Sequence, residues 1–321
     1  MRHGLLLGLL TVALGVGGPV TAQAATPPGC GAPALRTLHV ADVRGLRSAL
    51  SSARAGDRIL LADATYKGNF LLRASGTPSW RIQVCGGARA VIDGGSLTRN
   101  FGFTLFGSYT DLVGFTVTHS NKGVVVIGAQ QATLQRLTVY AVGDEGIHLK
   151  RRARYVQVVK NTVHHTGLVH KVLGEGVYVG SAHENWCSET RCQPDTSDDN
   201  LVSGNTFWAL GAEAVDVKEG TSNGTVRGNT ANGTGSGALA WYDINGNGWS
   251  VLNNHGSFAR RDGFLVDQSV SGWGYGNVFS GNTADVRGSG LGFRARRANT
   301  VSCNNHVTNA AEGYADVPCR H

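Results

Sequence analysis

The sequence predicts an all-β repeat protein, a β-solenoid in which short parallel strands stack as successive coils. Three observations predict it. Glycine is frequent, at 46 of 321 residues, while proline is rare, at 7. Short Val-rich runs alternate with Gly and Asn, as in chains with many strands and frequent turns. A Gly-Asn motif also recurs about every 24 residues, which is the length of one solenoid coil.

Residues 1–24 have the features of a cleaved signal peptide. A basic start precedes an apolar run over residues 5–16, and residues 22–24 form a small-residue cleavage site. The run is too short to span a bilayer, and no later stretch is long enough. We therefore expect a secreted protein without a membrane segment; an uncleaved anchor is the alternative.

Residues 25–110 are predicted to form an N-terminal cap and the first coils. The segment 43–54 carries an apolar face through Leu46, Ala49 and Leu50, as a short amphipathic helix does. Alternating segments typical of strands follow it from residue 57 onwards.

Residues 111–321 are predicted to form the β-helix repeats. One position of the motif recurs in eight coils, at Phe115, Leu137, Asn161, Asn205, Asn229, Asn254, Asn282 and Asn305. The intervals are 22, 24, 44, 24, 25, 28 and 23 residues, and the interval of 44 is one coil plus an inserted loop over residues 181–200. An Asn repeated at a coil corner predicts a stacked amide ladder.

Several short segments, together with these repeats, carry a family resemblance. They are Gly56–Leu61, Tyr66–Gly68, Ala74–Thr77 and Ile92–Gly94. This pattern resembles the pectate-lyase-like right-handed parallel β-helix proteins, of the polysaccharide lyase type. The resemblance implies a right-handed parallel β-helix whose open end is capped by a short helix, and it leaves the substrate unspecified.

Six cysteines in an exported chain predict three disulfides, although six cysteines allow fifteen connectivities. Local pairing predicts Cys30–Cys85, Cys187–Cys192 and Cys303–Cys319.

A second strand follows each first strand, and its alignment predicts which residues are neighbours, because stacked coils lie about 4.8 Å apart. Just before this strand, Glu145, Glu175 and Glu213 occupy one position on three consecutive coils. Stacked carboxylates repel each other unless a cation or basic neighbours compensate. With Asp216, these four oxygen donors suit Ca²⁺. Glutamates splayed into water, or paired with nearby Lys and Arg, are the alternative.

The outward positions of the second strand predict two further columns. The first contains His148, Tyr178, Asp216, Ala240, Leu265 and Gly292. The second contains Lys150, Gly180, Lys218, Tyr242, Asp267 and Arg294. Gly180 would leave a gap between two lysines that could accept a sugar carboxylate. A surface lattice of salt bridges is the alternative.

These groups favour β-elimination on a uronic-acid polysaccharide. The reaction needs a neutralised carboxylate, a base for the adjacent proton and an acid for the leaving oxygen. We predict Lys218 as the base, with Lys150 as the alternative, and Tyr178 or His148 as the acid. The resemblance to β-helix pectate and alginate lyases implies the same logic, a Lys or Arg base beside calcium or another neutralising group. We predict substrate contacts at Arg294, Trp241, Tyr242 and Asp267.

The formal net charge of +7 suits an acidic extracellular polysaccharide as the partner, although surface charge also serves solubility. We expect a monomer that binds neither nucleic acid nor membrane. A β-helix glycoside hydrolase is one alternative, but the chain lacks Gly-His-Gly and Arg-Ile-Lys motifs. A non-catalytic carbohydrate-binding protein is the other.

Overall fold

The computed structural model describes residues 30–321, and the predicted signal peptide lies outside them. The chain winds into a right-handed parallel β-helix of three parallel sheets with 11, 10 and 10 strands, which confirms the predicted fold class. Each coil contributes one strand to the first, second and third sheet in turn.

The first sheet has the longest ladder and begins at the N-terminal end of the described chain. Its strands are Arg36–Val40, Asp57–Leu61, Ile82–Cys85, Thr110–Val113, Thr133–Gln135, Gln157–Val159, Leu201–Ser203, Thr225–Arg227, Ser250–Leu252, Val278–Ser280 and Thr300–Val301.

The second sheet consists of three-residue strands, most with a buried central residue. Its strands are Thr65–Lys67, Val91–Asp93, Thr116–Thr118, Thr138–Tyr140, Thr162–His164, Thr206–Trp208, Thr230–Asn232, His255–Ser257, Thr283–Asp285 and His306–Thr308.

The third sheet carries the polar residues singled out in the sequence. Its strands are Phe70–Leu72, Phe101–Leu105, Lys122–Ile127, Ile147–Lys150, Val177–Val179, Val215–Val217, Tyr242–Ile244, Phe264–Leu265, Leu291–Arg294 and Gly313–Ala315. Because side chains alternate along a strand, every second residue points into the core of the solenoid and the others point out.

Two α-helices complete the described chain, Val43–Ser51 and Trp186–Thr190, with 3-10 turns at Lys171–Leu173 and His183–Asn185. The first helix starts at Asp42, whose side chain accepts a 2.7 Å hydrogen bond from the Gly45 amide. It buries its apolar face against the first strands of all three sheets, as the predicted cap should. Neither of these helices is long and apolar enough to cross a membrane.

The repeated Asn residues form the predicted amide ladder at one corner. The Asn229 Oδ1 atom accepts hydrogen bonds of 2.9 Å from both the backbone amide and the side-chain amide of Asn205. The Asn229 Nδ2 atom donates to Val202 O and to Asn254 Oδ1, each at 2.9 Å. The same pattern links six residues, Asn161, Asn205, Asn229, Asn254, Asn282 and Asn305.

Replacing Asn229 by Ala is expected to destabilise the protein by about 3 kcal/mol, because each buried polar group left without a partner costs about 1–3 kcal/mol. The midpoint of urea unfolding measures the effect. Asn232→Ala, at an exposed position of the same coil, is the matched control and should change stability by less than about 0.5 kcal/mol. Equal midpoints for the two variants would show that the ladder does not stabilise the fold.

All three predicted disulfides are present. Cys30–Cys85 joins the N-terminal segment to the first sheet, Cys187–Cys192 closes a turn in the inserted loop, and Cys303–Cys319 ties down the C-terminus.

The predicted neighbours on the third sheet are confirmed for the coils at Ile147, Val177 and Val215, which pair in register. For the next coil, the predicted register is wrong. Val215 pairs with Tyr242, not with residue 239, because the corner before this strand is longer. Ten positions separate Asn232 from Tyr242, against seven between Trp208 and Val215. A shift of three residues reverses inward and outward positions, so Asp243 replaces Ala240 as the neighbour of Asp216.

A second correction concerns the strand Leu291–Arg294. Phe264 pairs with Phe293, so Arg294 is aligned with Leu265 and not with Asp267. This shift of two residues leaves the outward face unchanged.

Candidate active site on the third sheet

An acidic cluster lies on the outer face of the third sheet. Carboxylate oxygens of Glu175, Glu213 and Asp216 lie within 4.8 Å of one another. Glu175 and Asp216 are only 4% and 2% exposed, and one oxygen of each is buried without a hydrogen-bond partner. Asp243 extends the cluster on the next coil and has a similarly unpartnered oxygen.

These carboxyl groups resist ionisation. Burial, followed by the charge of Asp216, raises the pKa of Glu175 well above its usual value. The same two causes raise the pKa of Glu213 to about 7. Burial and the neighbouring carboxylates also raise the pKa of Asp243. The cluster is therefore under-compensated by the cationic side chains around it, and a bound cation would relieve the repulsion.

Glu145 belongs to the predicted glutamate column, since the Gly146 amide donates to Glu175 O and the Gly176 amide donates to Glu213 O. Its charge, however, is compensated separately. Its carboxylate bonds to Lys122 Nζ and lies 3.3 Å from His148 Nδ1. Burial opposes ionisation, but His148 and Lys122 outweigh it and hold the Glu145 pKa at about 2. The structure therefore separates Glu145 from the other three predicted metal ligands.

His148 and Tyr178 are neighbours, as predicted, and both are buried. Their rings meet edge to face with centroids 4.7 Å apart. The His148 Nε2 atom lies 2.9 Å from Gly180 O, and because a carbonyl only accepts, Nε2 carries a proton and donates it. With Nε2 on Gly180 and Nδ1 beside Glu145, the imidazole is held in place against the Tyr178 ring.

Lys218 lies beside the acidic cluster. Its Nζ atom is 2.8 Å from Asp216 Oδ2 and 5.5 Å from the centre of the Tyr178 ring. Burial disfavours its charge, but the Asp216 carboxylate outweighs burial and raises the Lys218 pKa. The side chain remains 21% exposed, so its ammonium group is within reach of solvent and ligands.

Gly180 lies between Lys150 and Lys218, as predicted, but Thr221 fills the space where a side chain at this position would lie. Gly180 has a φ of +90°, and a Cβ atom there would lie 2.6 Å from Thr221 Cγ2, so a larger residue would be both strained and crowded. Lys150 already forms an ion pair, because its Nζ atom lies 2.8 Å from Glu189 Oε1 on the inserted loop. Lys150 therefore fastens this loop to the third sheet.

The inserted loop is also held by the buried carboxylate of Asp195. Asp195 accepts 2.8 Å hydrogen bonds from the backbone amides of Arg151 and Arg152, and one of 2.7 Å from Ser181 Oγ. Within the loop, Trp186 is buried and donates from Nε1 to Ser181 O at 2.8 Å. The loop is thus a fixed wall of the site.

The register of the third sheet buries two of the predicted substrate contacts, Trp241 and Tyr242. Trp241 and Tyr242 are 3% and 0% exposed, and the Tyr242 ring stacks on Phe264 in the core at 4.9 Å. Neither ring is accessible to a sugar. The cause is the longer corner before this strand, which turns Tyr242 inward.

The other two predicted contacts lie toward the C-terminal coils. Arg294 is bound to Asp262 and Glu312, at 2.8 and 2.6 Å. Asp267 is exposed, and its backbone amide donates a 2.8 Å hydrogen bond to Asn245 Oδ1. Sequence reasoning missed Asp243 in the cluster. The alternation Tyr-Asp-Ile at residues 242–244 was the available signal for an outward acid.

Comparison with known proteins agrees with this architecture. Residues 37–183 match a family described as "Pel9A-like, right handed beta helix region". An alginate lyase from Paenibacillus sp. str. FPU-7 is 30% identical with a TM-score of 0.80, over 88% of this chain and 98% of that chain. No curated protein sequence matches the chain.

Two more distant structures share the fold alone. Pectate lyase Pel9A is 17% identical with a TM-score of 0.59, over 90% of this chain and 80% of that chain. A mannuronic acid specific polysaccharide family 6 lyase from human gut microbiota is 14% identical with a TM-score of 0.54, over 89% and 77%. On the match to the Paenibacillus enzyme, this chain belongs to the pectate-lyase-like right-handed parallel β-helix proteins of the polysaccharide lyase type.

Proposed function

We propose that this protein is a secreted polysaccharide lyase that cleaves a uronic-acid polysaccharide by β-elimination. The observation that carries the proposal is the meeting of Lys218, Tyr178 and the acidic cluster of Glu175, Glu213 and Asp216 on two consecutive coils. An amine, a phenol and a cation-binding group are the components that elimination next to a carboxylate requires.

In the proposed reaction, Lys218 removes the proton from the carbon that bears the uronate carboxylate. The electron pair of that C–H bond forms a C=C bond to the neighbouring carbon, and the C–O bond to the leaving sugar breaks. Tyr178 gives its phenolic proton to the leaving oxygen. The Lys218 amino group lies over the Tyr178 ring at 5.5 Å, so both groups can face one sugar.

The assignment of Lys218 rather than Lys150 as the base follows from their partners. Lys150 is held by Glu189, which also binds Arg151, and this places it in the wall of the site. Within residues 30–321, Asp216 is the one ion-pair partner of Lys218, and the Lys218 side chain lies beside Gly180. To act as a base, Lys218 must leave its ion pair with Asp216 and lose one ammonium proton to solvent, so that the neutral amine accepts the proton of the substrate.

His148 is proposed to position the reacting groups and not to transfer protons itself. Its Nε2 atom donates to Gly180 O, its Nδ1 atom lies 3.3 Å from the Glu145 carboxylate, and the residue is 5% exposed. Its ring fixes the orientation of Tyr178 by edge-to-face contact.

The acidic cluster fits a calcium ion. Glu175, Glu213 and Asp216 provide carboxylate oxygens, the donors that Ca²⁺ prefers, and two of these oxygens are buried without partners. A bound Ca²⁺ would help to neutralise the uronate carboxylate and so acidify the adjacent proton.

Secretion and an acidic substrate are part of the proposal. Three disulfides are typical of proteins exported to an oxidising compartment. The net charge of +7 favours an anionic polymer. The Paenibacillus relative described as an alginate lyase makes alginate the first polymer to test.

The experiment incubates the protein with alginate and with polygalacturonate, with and without a chelator, and follows the absorbance of unsaturated uronate products. New absorbance on one of the polymers is the expected result. Saturated reducing ends without absorbance would indicate a hydrolase, and polymer binding without cleavage would indicate a binding protein. Either of these outcomes would overturn the proposed elimination.

A further inference from the structure

A cationic pocket lies beside the candidate active site. It has a volume of about 330 Å³ and is lined by Arg151, Arg152, Glu189, Thr190 and Arg191. All three arginines are exposed. The pocket is formed where the strand Ile147–Lys150 ends and meets the inserted loop.

The charges in this pocket are unbalanced. Glu189 is its one carboxylate, and Lys150 and Arg151 already bind it, at 2.8 and 2.6 Å. Within residues 30–321, Arg152 and Arg191 form no ion pair with a carboxylate. Two guanidinium groups are therefore available for an anion from outside.

The backbone that carries these groups is fixed. The amides of Arg151 and Arg152 donate to Asp195, which is 0% exposed and also accepts from Ser181 and Ser197. Arg191 follows the helix Trp186–Thr190 inside the turn closed by Cys187–Cys192. The pocket is thus a rigid feature whose side chains can be changed without removing the interactions that hold it.

The pocket also has a defined position relative to the reaction. Arg151 follows Lys150, and Gly180 separates Lys150 from Lys218, so the pocket begins two coils from the proposed base. Two coil spacings amount to about 10 Å along the solenoid axis. A polymer bound at Lys218 could therefore reach the pocket with another of its sugars.

We propose that Arg152 and Arg191 form a subsite for the carboxylate of a second uronate in the same polysaccharide chain. The planar guanidinium group binds carboxylates through two parallel hydrogen bonds, which suits recognition of this group. The subsite selects substrates that carry a second charged uronate near the cleaved bond and disfavours chains whose uronates are esterified. This inference rests on the proposed function, since it assumes a uronate polymer at Lys218.

The test compares the double variant Arg152→Gln/Arg191→Gln with Arg227→Gln, which removes an exposed arginine from the first sheet. For the polymer that is cleaved, the double variant should raise KM about tenfold or more with little change in kcat, because charge-assisted hydrogen bonds are lost only in binding. Its preference for the free acid over the methyl-esterified polymer should shrink in parallel. Arg227→Gln should change neither quantity.

A second measurement separates this inference from the proposed function. Calorimetry with alginate and galacturonate oligosaccharides is done on Lys218→Ala protein, with and without the two arginine substitutions, so that no turnover is needed. A loss of affinity of about tenfold or more on substitution supports the subsite even if the protein cleaves nothing. Unchanged affinity and KM in an active enzyme would disprove the subsite and leave the elimination intact. Tighter arginine-dependent binding of heparin than of the uronate oligosaccharides would also overturn it, in favour of a sulfate site.

Discussion

Replacing Lys218 by Ala is expected to lower kcat on the uronate polymer by about 10²–10⁴-fold, the usual contribution of a positioned general base. The amino group lies at the Asp216 carboxylate and over the Tyr178 ring, and within residues 30–321 no other lysine shares these contacts. The rate of formation of unsaturated products measures the loss. Lys160→Ala, at an exposed position outside the third sheet, is the matched control and should retain full activity.

Two further variants separate proton transfer from charge. Lys218→Arg keeps the positive charge but cannot give up its proton near neutral pH, because the pKa of arginine exceeds 12. If Lys218 is the base, Lys218→Arg should be almost as inactive as Lys218→Ala, and small primary amines added to the Ala variant should restore part of the rate. Substantial activity of Lys218→Arg would instead assign Lys218 to binding the substrate carboxylate.

Replacing Glu175 by Gln is expected to have opposite effects on stability and on activity. Without a cation, burial and the Asp216 charge raise the Glu175 pKa, so its ionisation is unfavourable in the folded protein. Glutamine is neutral in both the folded and the unfolded state, so the cost of holding this carboxyl group in the cluster is removed. Relief of even about 1 kcal/mol of this cost should raise the Tm of the chelated protein by about 2–4 °C. Catalytic activity should fall, because one of the three clustered carboxylates is lost.

The same cluster sets a pH dependence for the cation-free protein. Glu213 has a pKa of about 7 in the folded protein, against about 4.3 for an unperturbed glutamate. Between these values the folded state holds a proton that the unfolded state has lost, so stability falls as pH rises from about 4.3 to about 7. Thermal unfolding in chelator across this range should show the decline, and Glu175→Gln should reduce it.

Calcium should reverse the loss of stability that the clustered carboxyl groups cause in the wild-type protein. A ligand present at about 100 times its Kd stabilises the folded state by about 2.7 kcal/mol, and this gain should largely disappear in Glu175→Gln. Asp63→Asn, at an exposed carboxylate paired with Arg89, is the control and should keep the full calcium response. A wild-type Tm that does not respond to Ca²⁺ would contradict the assignment of the cluster as a cation site.

The fold was predictable because its signals are local and repeated. The Gly-Asn motif defined the coils, the apolar face of 43–54 predicted the cap, and the Asn ladder followed from the motif itself. The column of Glu145, Glu175 and Glu213 was predictable for the same reason, since parallel coils of known register convert alignment into contact.

The features of the site that the sequence did not predict depend on corners and loops, whose lengths do not follow the repeat. Three additional residues before Tyr242 reversed its direction and replaced Ala240 by Asp243 in the cluster. The partner of Lys150 lies 39 residues away on the inserted loop, a separation that no repeat specifies. Pairing of Glu145 with Lys122 likewise depended on a residue from the preceding coil that the sequence pattern did not single out.

The stacking of coils has a consequence for how such a site can change over time. The backbone spacing of the third sheet fixes the distances between Tyr178, Asp216 and Asp243, whereas the corner segments that flank them differ in length from coil to coil. Variation in those segments can reshape the surface around the site while these three side chains keep their separations. Differences in corner length therefore leave the spacing of the proposed site on the sheet face unchanged.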